Sequence, residues 1–272
     1  DIDEAPVLEE AVDGVGSHAP HPKGGGKQVG PGAQMLDGAQ ELHPVALLLE
    51  GVVRGGGALH RDGGGLYIHS VSDVENEWIF DGLIVSNNTA GIRGGGVHVQ
   101  APIHFTMVSG MVSHNQAVSY GGGMYFYSTD KIRSSVSFMG GTIQENSLTD
   151  EDINYQWTDS HYGGGVWISN YADVVLSGVQ ILNNKTIGTG GGVAMGAYCK
   201  VQIQEGTLVN GNKASFYGGG IYGNVTMSDQ ARIQGNTAGY GGGVQGSLVM
   251  NGGFVCGNTA SGGGGGGGIA GT

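Results

Sequence analysis

The stretch that decides the fold runs from Gly94-Gly95-Gly96-Val97-His98-Val99 through Val112-Ser113-His114-Asn115 to Gly121-Gly122-Gly123-Met124. A Gly triplet followed by an aliphatic residue opens it, an aliphatic-x-x-Asn closes it, and the triplet then returns. Between these marks, apolar and polar residues alternate with period two, which reads as short strands bounded by turn formers. Outward from this unit the pair recurs along the chain. Triplets begin at Gly63, Gly94, Gly121, Gly163, Gly190, Gly218 and Gly241. The closing motif reads Ile84-Val-Ser-Asn87, Val112-Ser-His-Asn115, Ile143-Gln-Glu-Asn146, Ile181-Leu-Asn-Asn184, Val209-Asn-Gly-Asn212, Ile233-Gln-Gly-Asn236 and Val255-Cys-Gly-Asn258. Successive Asn positions are 28, 31, 38, 28, 24 and 22 residues apart.

A unit of this length with about three short strands makes one turn of a parallel β-helix, in which coils stack at the inter-strand spacing of about 4.8 Å. Seven coils predict a rod of about 35 Å. The midway strands are Phe105-Thr-Met, Val136-Ser-Phe and Val174-Val-Leu, with inward aliphatics stacking from coil to coil. Gly supplies positive φ and close backbone approach at a tight corner. Asn tolerates the left-handed region, and its amide is placed to bond its counterpart one coil away as a ladder. No helix follows the triplets, so a phosphate-binding loop does not fit them.

Composition narrows the classes. The chain has 272 residues with 58 Gly and only 6 Pro, which excludes the Gly-X-Y pattern of collagen. A 39% apolar share supports a core, while charged residues make up 12% and the formal net charge is −12. That charge repels phosphate, so nucleic acid is not expected as a partner. No apolar run reaches the roughly 20 residues of a membrane span. Cys199 and Cys256 match no zinc spacing and read as small apolar residues. The chain opens at Asp1 without a signal peptide and stops soon after a glycine run, as expected of a piece of a longer protein.

The GGG-aliphatic and aliphatic-x-x-Asn pair resembles the GGA-I and F-x-x-N repeats of chlamydial polymorphic outer-membrane proteins. More broadly it is similar to the right-handed parallel β-helix repeats of bacterial surface proteins and autotransporter passengers. The resemblance covers about residues 63 to 269, with Ile or Val in place of the family's Phe and Gly in place of its Ala. It implies an all-β, right-handed parallel β-helix over residues 63–272, an extracellular or cell-surface location, and an adhesive or scaffolding role without catalysis.

Residues 1–62 differ in kind: Pro6, Pro20, Pro22, Pro31 and Pro44 lie there, with His18, His21 and His43 and no aliphatic-x-x-Asn. A cap over the first coil, formed by about 44 to 62, and a disordered or out-of-frame segment are both open readings. His18 and His21 are three apart, but Pro20 and Pro22 oppose a helix that would aim them at one metal.

Only outward side chains are available for chemistry. The position after each triplet-plus-aliphatic reads Tyr67, His98, Tyr125, Trp167, Ala194, Tyr222 and Gln245, an aromatic stripe along the rod. A long insertion between Asn146 and Gly163 adds Tyr155, Trp157 and Tyr162, expected beside Tyr125 and Trp167 as an apolar shelf for carbohydrate or a protein surface. The alternative use of these rings is mutual stacking for stability. The same insertion carries Asp150, Glu151, Asp152, Asn154 and Asp159, oxygen donors suited to Ca²⁺ though not in an EF-hand spacing. The rival class is a polysaccharide lyase or glycoside hydrolase, for which Asp130, Lys131, Arg133 and Asp173 flank the stripe. Hydrolysis needs two facing carboxylates, and the stripe itself contains none.

Overall fold

A computed structural model of the chain describes residues 46–49, 52–55, 57–58, 62–69, 76–100, 103–128, 133–149, 161–262 and 265–271. Among them every regular element is a strand. One coil shows the plan. Ile103–Met107, Gly110–Ser113, Gln116–Ala117 and Met124–Tyr127 follow one another around the coil, and each pairs in parallel with its counterparts one coil before and one after. Repetition builds four eight-stranded sheets, numbered here first to fourth in the order the chain visits them. The chain is thus the expected parallel β-helix, with seven coil-to-coil steps between the eight levels. Four strands per coil replace the expected three. The additional one, such as Gln116–Ala117, is two residues long and too short to leave an alternation in the sequence.

The stacking reaches back beyond Gly63. Ala46–Leu49, Val52–Arg54 and Gly57–Ala58 pair with the next coil, so the repeat geometry begins inside the segment set apart as 1–62. Strand pairing needs only backbone groups and an inward apolar residue, here the buried Val53, and neither requires the Gly or Asn marks. His18, His21 and the five early prolines lie outside the described residues.

Period-two alternation builds the core. On the first sheet, Phe105, Val136, Val174, Val201 and Val225 stack in register, as do Phe80, Met107, Phe138, Leu176, Ile203 and Met227. All are buried, and each contributes about 1.5–3 kcal/mol from lost water contact. Phe105 meets Phe80 edge-on at 4.9 Å, so the widest residues interlock between coils.

The corner between the second and third sheets corrects two expectations. It holds a left-handed residue followed by an Asn. The left-handed position is occupied by Asn87, His114, Glu145 and Asn183 at φ between 54° and 57°, then by Gly211, Gly235 and Gly257. The ladder Asn is the next residue, and in the first full coil it is Asn88, not Asn87. Asn88, Asn115, Asn146, Asn184, Asn212 and Asn236 are each 0% exposed, whereas Asn87 is exposed. The reason is steric: the left-handed turn throws its own side chain outward and turns the following one into the stack. Val85-Ser-Asn87-Asn88 therefore carries the motif, with Val85 in register with Val112. Asn115 donates from Nδ2 and from its backbone N–H to Asn146 Oδ1 at 2.9 and 3.0 Å, and its Nδ2 also reaches Val85 O.

The Gly triplet packs against this ladder. Its first residue has positive φ, 63° at Gly94 and 61° at Gly121. A Cβ on the second, Gly122, would collide with the carbonyl of Ser147; one on the third, Gly123, would sit 2.9 Å from Asn146 Cγ. Successive triplets are hydrogen-bonded, Gly94 N–H to Tyr120 O and Gly96 N–H to Gly123 O, both at 2.9 Å. Three glycines thus meet three different demands of one corner.

Candidate functional site: an aromatic band and a tyrosine ledge

The stripe is in register along the fourth sheet: Tyr67, His98, Tyr125, Trp167, Ala194, Tyr222 and Gln245 pair in sequence. It is not, however, open along its length. His98 and Tyr125 are 1% and 6% exposed and Ala194 is buried, while Tyr67, Trp167 and Tyr222 are half-buried. The cover is a second column, formed by the residue immediately before each triplet. It reads Asp62, Arg93, Tyr120, Tyr162, Thr189, Tyr217 and Tyr240, with backbone bridges joining Arg93 through Tyr120 and Tyr162 to Thr189.

The two columns interlock. Tyr120 stacks on Tyr162 at 6.0 Å and 5°, and Trp167 lies 4.9 Å from Tyr162 and 5.9 Å from Tyr120. Ala194 leaves room for Tyr162 to lean across and meet Tyr222 at 6.2 Å. At the N-terminal end His98 is sandwiched between Tyr67 and Tyr125, at 5.0 and 4.6 Å. Arg93 lies over the Tyr120 and Tyr125 rings and bonds Asp62 at 3.2 Å, while His98 Nδ1 is 3.7 Å from the same carboxylate oxygen. Burial pushes the Tyr125 phenol up to about 12 and raises the Asp62 carboxyl, the latter opposed by Arg93.

The rings are therefore occupied largely with one another. Of the expected shelf, the structure brings Tyr162 and Trp167 together and links Tyr125 to them through Tyr120, while Tyr222 of the stripe meets Tyr162. Tyr125 itself is too buried to touch a large ligand, because Arg93 and Tyr120 cover it. Tyr155 and Trp157 lie outside the described residues, as does the oxygen-donor set Asp150, Glu151, Asp152, Asn154 and Asp159. The covering column was legible in principle, one position upstream of every triplet.

On the far side of the fourth sheet a second arrangement went unnoticed in the sequence. The corners leading back to the first sheet contain Tyr171 and Tyr198, each eight positions after the first Gly of its triplet. Their rings stack at 4.8 Å and 13°, and both residues are left-handed, at φ 56° and 62°. That conformation costs an L-residue about 1–2 kcal/mol and is uncommon for a bulky side chain. Arg133 fastens the corner across three coils. Its Nη2 donates to Asp173 Oδ1 at 2.8 Å, to Ala172 O at 3.2 Å and to Tyr198 O at 3.0 Å, and its Nε donates to Asp173 Oδ2 at 3.2 Å. The hydrogen bond from Arg133 holds the Asp173 carboxyl below the usual carboxylate range, with Lys200 adding to the effect. Beside it, the partly buried Cys199 donates to Ser169 O and packs against the core, as expected of a small apolar residue, while Cys256 is exposed. Asp130 and Lys131 lie outside the described residues.

Among the described residues no helix is long and apolar enough to cross a membrane. Comparison with family models, with curated proteins and with solved structures yields no match.

Proposed function

We propose that this chain is a scaffold-and-contact segment of a bacterial surface or secreted protein, binding a carbohydrate or protein surface without turning it over. The observation that carries the reading is that the Asn ladder and the Tyr120, Tyr162 and Trp167 rings match side chains to like ones in the next coil along the rod. Such an object presents a long repetitive surface. A catalytic site instead gathers unlike groups at one point. Asp173, the described carboxylate of the set that flanks the stripe, is engaged on both oxygens by Arg133 and held ionised, which makes it a poor proton donor at neutral pH. The surface location rests on the resemblance of the two motifs to bacterial surface repeats. The half-buried edges of Tyr162, Trp167 and Tyr222 supply contact area on the fourth sheet.

The test is to incubate the purified chain with a panel of insoluble and soluble polysaccharides, assaying retention and product release in the same samples. Retention without new reducing ends or unsaturated sugars is the expected result. Release of product that Asp173→Asn abolishes would place the chain among the carbohydrate-active enzymes.

A further inference from the structure

We infer that the Tyr171–Tyr198 ledge is a binding platform for an uncharged pyranose unit of a polysaccharide; this rests on the contact reading above and names its ligand and its place. The first ground is a free ring face. In the aromatic band, rings are backed by other rings from neighbouring coils, so they present edges more than faces. Tyr198 differs: Tyr171 backs one face, and the residue is 68% exposed.

The second ground is a step in the rod. The corner between the fourth and first sheets takes residues 169–171 in one coil and 196–199 in the next, then shortens to Gly223-Asn224 and to Gly246-Ser247. Tyr198 stands on the last long corner, and the two corners that follow it in the stack are four residues shorter between registered positions. A flat, exposed aromatic face backed on its other side matches the C–H face of a pyranose, whose slightly positive hydrogens lie against the negative face of the ring.

The third ground is the polar rim. Lys200 follows two residues after Tyr198 and is in register beside Asp173. Asn224 occupies the next coil's corner, and its Oδ1 accepts the Ser247 N–H at 2.8 Å, leaving its NH2 to donate. Ammonium, amide and the rim of the Arg133–Asp173 pair offer both donors and an acceptor to ring hydroxyls. Arg133 neutralises Asp173 locally and the chain as a whole carries −12, which disfavours a polyanionic glycan. Finally, two adjacent bulky residues are held in the left-handed conformation, and Arg133 clamps the Tyr198 carbonyl. That bond fixes where the Tyr198 ring stands.

The experiment titrates the whole chain, with ring-labelled tyrosine, with cellohexaose, xylohexaose, mannohexaose and, as the charged comparison, oligogalacturonate by NMR. The informative variant is Tyr198→Gly, which removes the ring while relieving the left-handed backbone, so that loss of binding is separable from loss of fold. At least one hexaose is expected to shift the Tyr171 and Tyr198 resonances. Tyr198→Gly should bind about tenfold more weakly with an unchanged or higher melting temperature, as expected for one lost stacking face. Phe254→Ala, which removes an exposed ring on the second sheet away from both band and ledge, should bind as the parent does. Binding that survives Tyr198→Gly but disappears in Trp167→Ala overturns the ledge while leaving the contact reading standing. Failure of all three hexaoses to shift any ring resonance, or binding confined to oligogalacturonate, overturns the uncharged-pyranose assignment. Cleavage of a hexaose in the tube counts against the contact reading itself.

Discussion

Two corners of the same coil obey opposite rules. The Asn corner, between the second and third sheets, has two residues at every level from Asn87-Asn88 to Gly257-Asn258. The corner between the fourth and first sheets separates registered positions by eight residues from Val166 to Val174 and from Val193 to Val201, but by only four from Ile221 to Val225. The difference lies in what each must satisfy. At the Asn corner a buried amide bonds the amide above and below it, so one inserted residue would break the ladder in three coils at once. The opposite corner closes on solvent and can change length freely. Regularity marks where the backbone has no spare room, and variation marks where a distinctive side chain can be presented.

Ile143→Asp should produce the largest effect on this contrast. Ile143 is 0% exposed beside Asn146, and an unpaired buried charge there should leave the central coils unfolded, read as loss of the cooperative urea transition. Asn146→Ala comes next. Asn146 Oδ1 accepts two bonds from Asn115, and its Nδ2 donates to Val112 O and Asn184 Oδ1, all within buried surroundings. Stranding these groups should cost about 3 kcal/mol or more in denaturant unfolding. A loss below about 1 kcal/mol would mean that water replaces the ladder, and the two corners would differ less than the geometry implies.

Tyr198→Gly, at the variable corner, should have the opposite sign. Relieving φ +62° is expected to stabilise by up to about 1 kcal/mol, offset by the lost stack on Tyr171, so the melting temperature should hold or rise slightly. A marked fall would show the ledge to be structural. The smallest effect concerns pH. The Asp173 carboxyl is depressed in the folded chain, so the contribution of its pair with Arg133 is present above the unfolded value of about 3.8 and is lost as pH falls through the lower folded value. The pair is exposed, so this contribution is heavily screened. Asp173→Asn should therefore lower stability slightly at neutral pH and leave it unchanged in strong acid, which makes the acid limb of the stability curve slightly shallower.

Much of the solenoid could be read from residues alone because its determinants recur at matching places in each unit. Alternation at Val97-His98-Val99, the Gly triplets and the aliphatic-x-x-Asn each report a local backbone demand, and their recurrence reports the stacking. The strands and their inward faces follow, as does the register of Tyr67 with His98, Tyr125 and Trp167. Legibility failed where two local solutions were equally good. In Ile84-Val85-Ser86-Asn87-Asn88 either Asn completes the motif, and only the position of Asn115 one coil away decides that Asn88 enters the ladder and Asn87 faces out.

Exposure was likewise a matter of tertiary structure. Tyr125 alternates as an outward residue should, yet Arg93 and Tyr120, 32 and 5 positions upstream, close over it. Nothing in the sequence near Tyr198 announces that its ring stacks on Tyr171 across 27 positions, or that the following corners shorten. Period and hydrophobic alternation are properties of the chain with itself in one dimension, and so the sequence determined the coil, its core and its two kinds of corner. Which amide stacks, which ring is covered and which face is free depend on neighbours about 4.8 Å away along the rod but a whole coil away in the chain, and only the assembled solenoid brings those into contact.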